Sequence, residues 1–193
     1  MDRKYPDAFI LIRNPRAETG YSKFWPLEPH PDDFNLEGVA YSLAGLRRYR
    51  NNSSTPFTVA QHSILCYYLC PDPKVKLECL LHDVAETVIA DWPGPCKFGI
   101  PGLREIEERI EAAAAQKFHL TYPWPSAVKT ADSQALQIEM KQFMRWDCGI
   151  SLEGADKNEV NYRLGTLLAC DEIRVRNEFL RLAQEAILDR LIG

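Results

Sequence analysis

The stretch Leu80–Pro95, LLHDVAETVIADWPGP, has the apolar spacing of a buried helix, yet it carries His82, Asp83 and Glu86 in its middle and Asp91 just beyond. An ionised side chain in an apolar core is stable only when it is paired or ligated, so the fold must bring partners to this segment. Residues three and four apart share a helical face, which sets Glu86 beside both His82 and Asp83. A second histidine, His62, sits among apolar residues of the preceding helical segment. Only a short proline turn joins the two segments, which predicts antiparallel helices whose histidines can face each other. Two imidazoles and a carboxylate are good transition-metal ligands, and a fourth acid would complete a mixed nitrogen and oxygen site. The candidate is Asp132 in VKTADSQALQIEM, where Val128, Ala131, Ala135 and Ile138 form an apolar stripe that places it next to the inward face.

The rest of the chain narrows the possibilities. Its 193 residues suffice for one full-sized domain with its own core. A hydrophobic fraction of 46%, a charged fraction of 26% and 13 scattered prolines describe an ordinary globular protein. A net charge of -4 opposes a broad grip on a nucleic-acid backbone, which needs a basic face. There is no apolar run of the roughly 18 residues that a membrane span needs. The opening MDRKYPDAFI lacks the pattern of a secretory signal, so a cytoplasmic protein without a membrane partner is expected. Cys66, Cys70, Cys79, Cys96, Cys148 and Cys170 show no CxxC spacing and read as free thiols.

Periodicity predicts an all-α single domain. Residues 1–32 read as an irregular or short-strand lead-in, with AFILI as the one apolar run. A first helix runs from Asp33 to near Arg50, capped by Asp32 or Asp33, and Thr58 caps a second through Leu69. Further helices are expected over about Lys74 to Ala90, Leu103 to Phe118, Pro125 or Ser126 to Trp146, and Glu159 to Leu191. The domain would thus span 33–193, with its core at about 33–146.

His62, then His82-Asp83, then Asp132 resembles the H…HD…D signature of the HD-domain phosphohydrolase superfamily. The segments FNLEGVAYSLAGLRRY, TVAQHS, LLHDVAETVIADWPGPCK, EIEERIEAAAAQKF and VKTADSQALQIEM look like successive parts of small HD hydrolases, which include bacterial 5'-deoxynucleotidases and phage dATP triphosphohydrolases. The resemblance covers about residues 33–145 and implies a helical HD-domain bundle. It also implies that His62, His82, Asp83 and Asp132 hold one divalent transition metal, zinc, cobalt or manganese. Glu86 corresponds to the acid that works on the attacking water, and Asp91 to an acid at the leaving oxygen or the nucleotide. Arg47 or Arg48 matches a phosphate-binding arginine, Tyr49 or Trp92 a base platform, and Lys97 a polyphosphate lysine.

The expected activity is removal of the 5'-phosphate or phosphates from a small 2'-deoxynucleotide, plausibly dATP, dADP or dAMP, by water attack at the α-phosphorus. Such a protein would work in the cytoplasm, a host's if phage-encoded, and relatives often form homo-oligomers. Two rivals are a deoxynucleotidase restricted to monophosphates and a catalytically silent nucleotide sensor. Only His30 and His119 remain as spare histidines, both in or beside proline-rich loops, which favours one metal over two.

Overall fold

The apolar run near the N-terminus becomes a strand. In the computed structural model, which describes residues 3–152 and 156–192, Ile10–Arg13 (β1) pairs antiparallel with Tyr21–Phe24 (β2), in the register Ile10 to Phe24 and Arg13 to Tyr21. Alternation sends Ile12 and Phe24 inward, where they join the same core as the helices. The hairpin docks on α1 (Leu36–Gly45) so closely that a Cβ on Gly38 would lie 2.0 Å from the Arg13 carbonyl oxygen. Asn35 fixes both elements: its Oδ1 accepts from the Gly38 amide at 2.7 Å, and its Nδ2 donates to the Arg13 carbonyl at 3.1 Å. The expected caps, Asp32 and Asp33, lie instead in a 3-10 turn, Pro31–Asp33. Asp33 is occupied by Arg3, whose guanidinium donates to it at 2.8 Å.

The first helix also ends earlier than predicted. Leu46 turns extended, and residues on either side of an Arg47–Thr58 bridge pair across the loop, with the Arg48 amide donating to Phe57 O at 2.9 Å and the Val59 amide to Leu46 O at 2.9 Å. Tyr49, Arg50 and Asn51 then adopt φ of 55°, 49° and 61°, a left-handed run that non-glycine residues rarely take.

Helix α2 (Val59–Leu69) is the axis of the bundle, buried on nearly every face and packed by α1, α3, α7, α8 and α9. Its start is a reciprocal capping box: Thr58 Oγ1 accepts from the Gln61 amide, and Gln61 Oε1 accepts from the Thr58 amide. The helix expected over Lys74 to Ala90 is interrupted. It consists of α3 (Lys76–Leu81), a tightened turn through His82–Ala85, and α4 (Glu86–Ile89). Amides in the turn reach back three residues, Val84 to Leu81 and Glu86 to Asp83, both at 3.0 Å. The His82 ring donates to the Cys79 carbonyl at 2.8 Å, competing for the acceptor on which a regular helix would hang the Asp83 amide.

Beyond it lie α5 (Gly94–Gly99), where proline in the first turn starts a helix rather than stopping one, and α6 (Leu103–Phe118), bounded as predicted. Helix α7 (Ser126–Glu139) continues as a π-helical turn, Met140–Met144, and ends at left-handed Arg145. The expected C-terminal helix divides into α8 (Lys157–Leu168) and α9 (Glu172–Ile192), because Asp171 caps the second, its Oδ1 accepting from the Arg174 amide at 2.8 Å. The six cysteines are unpaired. Among the described residues no helix is long and apolar enough to cross a membrane. The fold is a helical bundle with one small hairpin.

Phe179 on α9 is fully buried in the core that supports α1 and α2. Phe179→Ala should cost about 3–5 kcal/mol, seen as a lower denaturant midpoint with an unchanged slope.

Candidate metal centre

The packing of α2 against the α3–α4 turn and α7 brings four separated residues to one point. His62 Nε2 lies 3.3 Å from His82 Nε2, 3.1 Å from Asp132 Oδ1 and 3.6 Å from Asp83 Oδ2. His82 Nε2 lies 3.3 Å from Asp83 Oδ1 and 3.7 Å from Asp132 Oδ1. Both imidazoles are buried.

The outer nitrogens determine what faces inward. His62 Nδ1 donates to Glu139 Oε1 at 2.6 Å, and His82 Nδ1 donates to the Cys79 carbonyl at 2.8 Å, an atom that can only accept. With both Nδ1 hydrogens committed, the two Nε2 lone pairs point at each other and at two carboxylates, so the space between must hold protons or a cation. Burial works to lower the His82 pKa, but Asp83 first, with Asp132, pushes it up to about 10. His62 is likewise raised against burial and the Arg48 charge, by Cys66, Glu139 and Asp132. Burial would raise the Asp132 carboxyl, yet hydrogen bonds from His62 and His82 hold it well below the usual carboxylate range.

These residues fit a transition metal. Ligands about 2.0–2.1 Å from a common ion lie about 3.0–3.4 Å apart, close to the spacings found here. Asp83 Oδ2 is buried and accepts no hydrogen bond, although Arg48 NH1 stands 3.6 Å away. The carboxylate–histidine pair formed by Glu139 and His62 is the outer support that metal-bound imidazoles use.

Glu139 has no counterpart in the sequence reading. It is fully buried on α7, and its Oε2 accepts from Arg48 Nε at 2.9 Å and from Tyr49 OH at 2.6 Å. The signal was its place seven residues, two turns, beyond Asp132 on the same helix face, but nothing local said what it would meet. Burial opposes its ionisation, while Arg48 and His62 lower its pKa and keep it a carboxylate. The left-handed turn at Tyr49 aims Arg48 inward, whereas Arg47 is exposed. Tyr49 is committed through its hydroxyl. Trp92 donates from Nε1 to Ile89 O at 2.6 Å, and the Arg50 guanidinium covers its ring at 5.1 Å.

Glu86 stands beside the centre, buried, with Oε2 free of hydrogen bonds and Oε1 3.5 Å from Lys97 Nζ. Burial raises its pKa well above the ordinary value, and Asp83 and half-buried Asp91 add to this. Lys97 also pairs with Glu107 of α6. On the far side of Lys97 opens a cavity of about 430 Å³ lined by Phe98, Glu107, Glu111, Tyr122 and Trp124.

No family model matches the chain. Over 112 residues it is 34% identical to the uncharacterized protein YfdR of Escherichia coli K12, covering 58% of this chain and 62% of that protein's length. Over 144 residues it is 31% identical to the uncharacterized protein RCAP_rcc00048 of Rhodobacter capsulatus, covering 68% of this chain and 71% of that protein. The chain belongs to the family of that Rhodobacter capsulatus protein. Among solved structures, the cyanophage S-2L HD phosphohydrolase DatZ, bound to dA and one catalytic zinc ion, aligns at 19% identity with a TM-score of 0.45, covering 78% of this chain and 95% of that one.

Two outcomes are expected. Replacing Glu139 by Gln removes the charged acceptor behind His62 and should weaken metal binding about 10–100-fold, measured by competition with a chelator. Burial, with Glu107 adding, pushes the Glu111 carboxyl up to about 7 from an ordinary 4.5. The folded state therefore holds a proton that the unfolded chain releases, and stability falls as pH rises through this window. Glu111→Gln should flatten that part of a stability-against-pH curve.

Proposed function

We propose that this protein is a metal-dependent phosphohydrolase of the HD type that removes the 5'-phosphate or phosphates from 2'-deoxynucleotides, and that residues 33–193 form the hydrolase domain. The observation that carries this reading is the convergence of two outward-anchored imidazoles with Asp83 and Asp132, beside a buried carboxylate, Glu86, that has an unpartnered oxygen. His62, His82, Asp83 and Asp132 would hold the ion; imidazole with carboxylate suits zinc, cobalt or manganese better than calcium or magnesium. When bound, such an ion supplies an acidified water and an electrostatic pull on the phosphate.

The chain's own residues do the rest. Glu86, buried beside the centre with an unpartnered Oε2, takes the proton of the attacking water as general base. Arg48, held by Glu139 through Nε, keeps its remaining N–H donors near Asp83 for a phosphate oxygen. Lys97 stands on the other side of Glu86 and offsets further phosphate charge. Asp91, whose charge acts on Glu86, is assigned to the leaving oxygen. The cavity beyond Lys97 has aromatic walls and the volume for a nucleoside. The proposal includes a preference for adenine, extended from the motif resemblance, and action in the cytoplasm.

The test is a panel of dAMP, dADP, dATP and other nucleotides incubated with zinc, cobalt or manganese, with the products identified. Release of deoxyadenosine with phosphate, pyrophosphate or triphosphate supports attack at the α-phosphorus; turnover of dAMP alone assigns the monophosphate-restricted activity. Binding without turnover overturns the enzyme reading. Glu86→Gln should retain the ion and lose about 10²–10⁴-fold in kcat, and Asp83→Ala should abolish metal-dependent release.

A further inference from the structure

We propose that Cys66 is a further protein ligand of the same ion, a thiolate added to a site otherwise made of imidazole and carboxylate; this rests on the metal reading above. Cys66 follows His62 by one turn of α2, on the same face. It is fully buried and unpaired, and its Sγ lies 3.4 Å from His62 Nε2. Ligand atoms of His62, Cys66, His82 and Asp132 all lie within 4.8 Å of one another. A sulfur about 2.3 Å from an ion and a nitrogen at about 2.0–2.1 Å from it sit about 3.5 Å apart at a tetrahedral angle, which matches the spacing.

The independent observation is the pair of inward Nε2 atoms. Their outer nitrogens are committed to Glu139 and Cys79, so a cation shared by the two imidazoles would lie in the space that Sγ borders. As the sulfur–metal bond forms, the thiol proton leaves to solvent. A thiolate softens the donor set and shifts preference toward zinc and cobalt and away from manganese. It also takes a coordination position, leaving the phosphate chiefly to Arg48 and Lys97.

Anaerobic titration of the full chain with cobalt(II) tests this. The expected spectrum has visible d–d bands and a near-ultraviolet sulfur-to-cobalt charge-transfer band, both saturating at one equivalent. Cys66→Ser should lose the charge-transfer band and keep the visible ones. Visible bands without charge transfer, or charge transfer that survives the substitution, overturn the ligand role of Cys66 while leaving the metal site standing. Absence of any cobalt spectrum overturns both. Should the variant fail to fold, X-ray absorption of the zinc-loaded natural protein decides: a sulfur scatterer at about 2.3 Å supports the proposal, and a shell of nitrogen and oxygen alone overturns it.

Discussion

One buried carboxylate, Glu139, ties the site together. It sits at the end of α7, where the helix loosens into a π turn, and receives the His62 ring on one oxygen and Arg48 with Tyr49 on the other. Three segments distant in sequence therefore share one negative charge. A carboxylate removed from water is tolerable only with such satisfaction. In return it orients the imidazole, turns a buried arginine toward the centre and secures a loop whose backbone is left-handed at three consecutive non-glycine positions.

The same principle separates structural from chemical charge elsewhere. Glu78 is as buried as Glu139, but it accepts from the Thr121 amide at 2.8 Å and pairs with Arg190, so α3 is bound to α9 and no valence is left over. Glu86 differs: Lys97 approaches one oxygen, and the other has no donor. Two of the buried carboxylate oxygens without a hydrogen-bond donor, Asp83 Oδ2 and Glu86 Oε2, belong to this segment next to His82. The apolar residues that flank the two histidines on α2 and α3 supply rigidity and keep the imidazoles from water, which strengthens the contacts they make.

Much of this was legible in the sequence because it is local. The spacing of His82, Asp83 and Glu86, the cap at Thr58 and the boundaries of α6 depend on neighbours within a turn or two. The failures have a common cause. A continuous helix through LLHDVAET is locally favourable, but the His82 ring takes the Cys79 carbonyl and the turn tightens. Asp33 looks like a cap until Arg3 occupies it. The helix expected over Leu103 to Phe118 gives no local sign that Lys97 reaches Glu107 or that a cavity opens against Glu111.

The sequence by itself determined the helical class, the position of the central histidines and the types of ligand available, since apolar periodicity and residue chemistry are carried by short segments. Only the tertiary structure decided that Arg48 faces the centre and Arg47 does not, that Glu139 stands behind His62, and that Cys66 Sγ lies against His62 Nε2. Those outcomes depend on which segments meet across the bundle and on a left-handed turn of one residue's register, and contacts between residues 77 to 91 positions apart leave no periodic trace along the chain.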